Sequence, residues 1–180
     1  MGHGAGDAIR TQLFFPEQHA IYDLWLSLKG EAEMPRRTDL SPLVLRNWLS
    51  RVSLSDLLPA PDFMRVRLAG TALREIYGCE LTGKTLQDPF FASTRDYWSR
   101  LCELMALERR PLSGIMRGPG PERDHLVLFW LRLPLRREDG GIVMLGLDQA
   151  MSVRRVDEEL PGVTLVDGIS GQPLSGGEMA

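Results

Sequence analysis

VRLAGTALREIYGCELTGKTL, residues 66–86, is the segment that decides the fold. Its first residues alternate apolar and basic side chains, which is the period of a half-buried strand, and Gly70 ends that strand. Residues 71–77 then form a short helix that stops at Gly78, because glycine readily takes the left-handed conformation found at helix ends. Residues 81–84 follow as a turn. The segment therefore predicts a strand, a short helix and a turn in immediate succession.

Two longer helices and four further strands are predicted on either side of this segment. Residues 16–29 repeat apolar side chains at helical spacing, and a second long helix begins at residue 93 or 94 and must end before Pro111. Strand-like runs bounded by turn residues occur at 52–58, 112–117, 126–135 and 142–147. The last three are expected to form an antiparallel meander. This order of elements indicates an α+β fold.

The strand at residues 126–135 is apolar on both faces. Its even-numbered residues from 126 to 130 and its odd-numbered residues from 127 to 131 are all apolar. Both faces of the sheet therefore need a cover, which the second long helix can supply on one side. The helix at 16–29, or the sheet of a second molecule, can cover the other side. We therefore expect a homodimer whose interface includes Ile21, Leu24, Trp25, Leu28 and Trp130.

Composition and charge exclude several classes of protein. With 180 residues, 43% of them hydrophobic and 25% charged, the chain matches a globular protein with one main core. A formal net charge of -3 gives no electrostatic reason to bind nucleic acid or an anionic membrane, and no apolar run is long enough to span a bilayer. The N-terminus lacks a secretory signal, and the two cysteines form no zinc-site pattern. We expect a cytoplasmic protein without a nucleic-acid, membrane or metal partner.

The chain resembles PAS domains in the segment quoted above. PAS domains have a strand, a short helix ending in glycine, and a turn with Glu-Leu-x-Gly-Lys, which here are Gly78 and residues 80–84. The N-terminal part is similar to a bacterial PAS-like subfamily with a helical aromatic, here Trp25, then Pro-Arg-x-x-Asp-Leu-x-Pro at residues 35–42 and Arg-Leu-Ala-Gly-Thr at residues 67–71. The resemblance implies a five-stranded antiparallel sheet with helices on one face and a small apolar cavity between them. It also implies an N-terminal helix used in dimerisation or signal transfer.

Three regions follow from the patterns and the resemblance together. Residues 15–150 are expected to form one PAS-like domain that includes the N-terminal helix. Residues 1–14 are expected to be a flexible N-terminus. Residues 151–180 turn polar and then rich in Gly, Ser and Pro, which predicts a mobile C-terminal tail.

The cavity that the resemblance implies lies between the second long helix and the sheet. Its candidate lining residues are Leu68, Tyr77, Trp98, Met105, Phe129 and Met144. Arg67 and Arg132 are polar candidates for an anionic ligand, although strand alternation puts Arg67 opposite the apolar face and favours a surface ion pair. Flavin is disfavoured because Cys79 precedes the Gly-Lys turn, whereas light-sensing PAS domains carry their cysteine after it. Haem is disfavoured because no histidine lies on the second long helix. The identity of a ligand stays open.

The expected function is that of a non-enzymatic sensory module that signals by contact with another protein and that a small molecule controls. No catalytic set of residues is recognisable. The segment from Gly78 to Thr85 does match the phosphate-binding pattern G-x-x-x-x-G-K-[ST], and a nucleotide hydrolase would use Lys84 and a magnesium-binding Asp148. A helix precedes this match and Pro89 follows it closely, whereas a true phosphate loop follows a strand and opens a helix. The hydrolase is therefore kept only as an alternative. A simple small-molecule carrier is a second alternative.

Overall fold

The computed structural model describes residues 8–161, and its centre is one antiparallel sheet of five strands. The strands lie side by side in the order β2-β1-β5-β4-β3. Their bounds are Val52–Leu57 for β1, Met64–Ala69 for β2, Leu112–Arg117 for β3, Leu126–Arg136 for β4 and Ile142–Ser152 for β5. β4 and β5 are the longest strands and pair along their whole length. The predicted five-stranded α+β fold is confirmed.

Besides helical residues 8–10, the described range contains the α-helices α1 Pro16–Lys29, α2 Thr71–Tyr77, α3 Arg95–Glu108 and α4 Val153–Glu159. Short 3-10 turns lie at Arg37–Asp39 and Pro89–Phe91. The helix ends have local causes. Pro16 occupies the first turn of α1, where no backbone N–H is needed, and Gly78 ends α2 with a left-handed φ of 81°. These two helices therefore begin and end where the sequence predicts.

The inner face of the sheet is the face that α2 and α3 cover. Leu73 of α2 and Leu101 and Met105 of α3 are almost completely buried there, against Leu128 and Trp130 of β4. Burial of each such side chain stabilises the fold by roughly 1.5–3 kcal/mol. This inner cluster fixes the two helices on the sheet and forms the walls of the candidate site.

The outer face of the sheet is covered by α1. Ile21 and Trp25 are buried in a cluster with Leu131 and other residues of β4 and β5. The indole Nε1 of Trp25 also donates a hydrogen bond of 2.8 Å to the carbonyl oxygen of Pro134. One apolar stripe and one buried hydrogen bond thus hold α1 on the sheet of its own chain.

The structure corrects the predicted interface residues. Ile21 and Trp25 belong to the outer cluster of this chain, and Leu24 and Leu28 pack against the same cluster partly buried. Trp130 is also fully buried, on the inner face. The physical reason is that α1 is tethered to the sheet, so it can bury its apolar stripe without the entropic cost of a second molecule.

Two predicted cavity residues lie on the outer face. Phe129 packs edge to face on Phe14 and Phe15, with ring centroids 5.2 and 5.1 Å apart. Alternation along β4 predicts that Phe129 and Trp130 point in opposite directions, but it does not say which face the helices cover. Leu68 is turned to the outer face by a different cause, which is a β-bulge.

The bulge interrupts the pairing of β1 with β2. Leu54 lies opposite Leu68 and Ser55 lies opposite Val66, so Arg67 is the extra residue. Because one extra residue reverses the alternation, Leu68 faces the same side as Leu54 and is 42% exposed. The prediction that Leu68 lines the inner cavity is therefore wrong.

Each predicted terminal region includes residues that pack on the rest of the domain. Residues 151–161 complete β5 and form α4, whose Val156 is buried in a cluster with Phe129. At the other end, Ile9 and Leu13 are buried in the outer cluster, although residues 1–14 were expected to be flexible. The remaining residues of these two regions, 1–7 and 162–180, lie outside the described residues.

Candidate functional site

A cleft lies between the inner face of the sheet and helices α2 and α3. Tyr77, Trp98 and Met144 line it, as predicted from the sequence, whereas Met105 lies deeper in the same inner cluster. The open space measures about 30 Å³. A buried water needs roughly 10–15 Å³ measured in this way, so the cleft has room for about two waters. Side chains therefore fill most of the space between the two layers.

The wall of the cleft contains a buried ion pair between adjacent strands. Arg132 of β4 donates from Nη1 to Oδ1 of Asp148 on β5 at 2.6 Å, and from Nη2 to Oδ2 at 3.2 Å. Arg132 lies directly opposite Gly146, two residues before Asp148, so the two side chains meet diagonally on one face. A Cβ on Gly146 would lie 3.0 Å from Nη1, so glycine lets the guanidinium lie close to the sheet.

A third polar group joins this pair from the helix layer. The hydroxyl of Tyr77, at the end of α2, donates to Oδ2 of Asp148 at 2.9 Å. The guanidinium of Arg132 lies over the ring of Trp98, 5.1 Å from its centroid, at a cation–π distance. We call Tyr77, Arg132 and Asp148 the polar triad. It is the buried polar link between α2, β4 and β5.

The electrostatics keep Tyr77 and Arg132 of the polar triad each in one protonation state. Burial raises the pKa of Tyr77 well above its usual range, and the negative charge of Asp148 adds to this effect. Burial alone would lower the pKa of Arg132, but the Asp148 carboxylate outweighs burial and holds that pKa above its ordinary value. Tyr77 is therefore a neutral phenol and Arg132 a charged guanidinium at physiological pH.

One other buried polar group of the cleft has no hydrogen-bond partner in the described part of the chain. The indole Nε1 of Trp98 is buried, and among residues 8–161 it has no hydrogen-bond partner. Ser53 and Ser55 of β1 add hydroxyl groups to the lining of the cleft. By contrast, the indole Nε1 of Trp130 donates to the hydroxyl of Tyr97 at 2.9 Å. A donor such as that of Trp98 costs stability unless a water or a ligand accepts its hydrogen bond.

The segment Gly78 to Thr85 does not have the geometry of a phosphate-binding loop. Gly78 ends a helix rather than following a strand, and Thr85 forms a β-bridge with Arg65. The ammonium group of Lys84 is 2.9 Å from Oδ2 of Asp88 in an ion pair. No α-helix begins directly after the segment, so no set of helical amide groups points at a phosphate.

Cysteines and potential metal ligands are also accounted for. Cys79 packs against the inner cluster, and burial raises its pKa. Cys102 is buried, which raises its pKa to about 12. Among residues 8–161, no three His, Cys, Asp or Glu side chains lie close enough together to hold a metal ion. In the same range, no helix has both the length and the apolar character to cross a bilayer.

Sequence reasoning missed most of the polar side of this cleft. It considered Asp148 only as a metal ligand of a nucleotide hydrolase, and it did not single out Ser53 or Ser55. One signal was present: Asp148 directly follows the apolar run from Ile142 to Leu147, so a charged residue falls within a buried strand. A charge in that position needs a partner, and Arg132 on the neighbouring strand is the partner.

Three comparisons with solved structures give weak similarities. A light-oxygen-voltage domain from work on a flavin analogue has 17% identity and a TM-score of 0.44, covering 67% of this chain and 92% of that one. Vibrio cholerae VqmA has 15% identity and a TM-score of 0.45, covering 63% and 52%. A Burkholderia thailandensis sensory box histidine kinase/response regulator has 16% identity and a TM-score of 0.40, covering 66% and 88%. These values are too low to carry a ligand or an activity over to this chain.

The comparison with protein families is more informative. None of the curated proteins matches the chain. A family model described as the PAS domain matches residues 14–148, which include all five strands except the end of β5. The match covers most of the chain and contains the polar triad. The chain belongs to the PAS domain family.

Proposed function

We propose that this PAS domain is a non-enzymatic signalling module that acts through contact with another protein and responds to a small polar ligand in the cleft. The observation that supports it best is the polar triad, which places two opposite charges and a phenol beside a nearly filled cleft. A buried ion pair often adds no more stability than apolar side chains would in the same place, so stability alone does not explain this cluster.

The arrangement of the triad supports a binding role rather than a catalytic one. Asp148 accepts three hydrogen bonds, two from Arg132 and one from Tyr77. All three come from groups of this chain and fix the position of the carboxylate. The raised pKa of Tyr77 makes the phenol a poor nucleophile. The triad can instead orient a ligand that offers both a hydrogen-bond acceptor and a donor.

The unused indole donor of Trp98 indicates the chemistry of the ligand. A small molecule with a carbonyl or hydroxyl oxygen could accept from Nε1 of Trp98 and bond with Ser53 or Ser55 on the opposite wall. The cleft as described has room for about two waters, so a larger ligand must force the helix layer and the sheet apart. Such a displacement supplies a signal that a partner protein could detect.

Native mass spectrometry of freshly purified full-length protein tests the proposal. We expect the native mass to exceed the denatured mass by one small ligand. The Trp98→Phe variant should lose most of this added mass, because it removes the indole donor but keeps an aromatic ring. Trp48→Phe is the matched control, since Trp48 packs in the outer cluster away from the cleft.

The opposite outcome is equally informative. If wild-type protein carries no added mass, and small carbonyl or hydroxyl compounds do not raise its melting temperature, the ligand part of the proposal fails. A protein-interaction module with a filled core then remains. The same spectrum reports whether the protein is the predicted homodimer, which would need a surface other than the buried stripe of α1.

A further inference from the structure

The outer face carries a groove that α1 leaves uncovered. It lies over β1, β2 and β5, has a volume of about 480 Å³, and is walled by Arg37, Arg67 and Arg137. This volume is within the range of roughly 300–1,000 Å³ found for ligand sites. A second hollow of about 350 Å³ shares Arg137 and adds Arg36 and Arg136. We call the first of these hollows the outer groove.

Carboxylates hold two of the three arginines of the outer groove, because Asp56 contacts Arg67 and Arg137, and Asp139 also pairs with Arg137. Asp56, whose side chain is only 11% exposed, accepts a hydrogen bond of 2.8 Å from Nη1 of Arg67 and lies 3.6 Å from Nη1 of Arg137. Arg37 donates from Nη1 to the carbonyl oxygen of Leu40 at 2.9 Å. An arginine has five N–H donors, so Arg67 and Arg37 keep most of theirs for another molecule.

The floor of the outer groove is apolar. Leu54 and Val143 form it, and Leu68 lies beside them with 42% of its surface exposed. The β-bulge creates this arrangement, because the extra residue Arg67 turns Leu68 away from the inner core. The result is a cationic wall above an aliphatic floor.

Charge and shape select the occupant. Three arginines against Asp56 and the Asp139 that pairs with Arg137 leave the groove with a small positive charge, although the whole chain has a net charge of -3. An anionic partner is therefore attracted to this place in particular. Among the described residues, no aromatic side chain lines the groove for the stacking that nucleic-acid bases require. A concave surface also fits a planar lipid surface poorly. Carboxylates match the fork geometry of arginine, and the floor suits an aliphatic side chain.

We propose that the outer groove binds an acidic peptide segment of a partner protein, with carboxylates on Arg37 and Arg67 and an aliphatic side chain on Leu68. This inference deepens the proposed function, because it names the surface through which the domain contacts its partner. The cleft lies on the opposite face of the sheet, so the two sites can be tested separately.

The test is selection from a randomised hexapeptide library with the full chain, followed by fluorescence anisotropy of the strongest selected peptide. Wild-type protein should enrich peptides that place Asp or Glu next to Leu, Ile or Val. The double variant Arg37→Gln/Arg67→Gln should bind that peptide at least about tenfold more weakly, since each arginine supplies a charge-assisted hydrogen bond. Leu68→Ser should weaken binding about fivefold through the loss of apolar contact.

The matched control is Arg154→Gln/Arg155→Gln on α4, which removes two exposed arginines outside the groove. This control should select the same peptides with unchanged affinity. The proposal is overturned if wild type shows no preference for acidic residues, or if the groove variant selects as wild type does. It is also overturned if single-stranded DNA or phosphatidylserine vesicles, rather than peptides, bind in a manner that depends on Arg37 and Arg67. A bound ligand in the native mass spectrum would still support the cleft after any of these failures.

Discussion

Removing the charges of the polar triad one at a time, and then together, tests whether it is a coupled unit. Arg132→Met leaves a buried carboxylate and Asp148→Leu leaves a buried guanidinium, in positions that are 1–8% exposed. An uncompensated buried charge costs about 3–5 kcal/mol, so each single variant should lose that much free energy of unfolding. The double variant removes both charges and leaves only the Tyr77 hydroxyl without its acceptor, which costs about 1–3 kcal/mol. Adding Tyr77→Phe should recover stability to within about 1 kcal/mol of wild type.

Urea unfolding measured by tryptophan fluorescence and circular dichroism gives these free energies, provided that the slope with urea stays the same in all variants. For a chain of this size, the single variants should also melt about 6–20 °C lower. The exposed pair Arg154→Met/Glu158→Leu on α4 serves as the control and should change stability by no more than about 0.5 kcal/mol. Single variants that cost less than about 1 kcal/mol, or a double variant equal to the sum of the two singles, would refute the coupling.

Three further outcomes follow from the structure. In the folded state the thiol of Cys102 has a pKa of about 12, whereas in the unfolded state it has its ordinary pKa of 9.0. Stability should therefore fall as pH rises from 9 to 12, by about 2 kcal/mol at pH 10.5, because the unfolded state loses this proton first. Cys102→Ala should flatten that part of a pH series of urea titrations. Trp25→Phe should cost about 1–3 kcal/mol in the same assay because it leaves the buried Pro134 carbonyl without its donor, and an unchanged midpoint would show that the hydrogen bond does not hold α1. Gly70→Ala should cost at least about 2 kcal/mol in chemical unfolding, since the new Cβ would lie 2.3 Å from the backbone oxygen of Leu49, and a neutral result would mean that this backbone moves easily.

The order of the elements up to β5 and most of their bounds could be predicted because they depend on local signals, although β5 runs to Ser152 rather than to residue 147. Pro16 and Gly78 mark helix ends through backbone geometry, and apolar periodicity marks the strands. The orientation of the sheet could not be predicted in this way. Period-two alternation separates Phe129 from Trp130, but only the packing of α1 and α3 decides which residue faces which layer.

The polar triad was beyond sequence reasoning for a related cause. Tyr77 and Asp148 are 71 residues apart in the chain, and their contact depends on where α2 docks on the sheet. In the predicted C-terminal tail, by contrast, the sequence does contain a local signal for a helix. Val153, Val156 and Leu160 have the i, i+3, i+7 spacing of a short amphipathic helix, and this helix is α4.

β4 lies between the cleft and α1, and each of its two sides packs against a different layer. On one side, Trp130 belongs to the inner cluster and Arg132 to the polar triad. On the other side, the backbone oxygen of Pro134 accepts a hydrogen bond from the indole of Trp25. Because protein interiors are close-packed, a ligand larger than about two waters must push either α3 or this strand outward. A displacement of β4 would carry the anchor of α1 with it, so the N-terminal helix would respond to the contents of a cleft that it never touches.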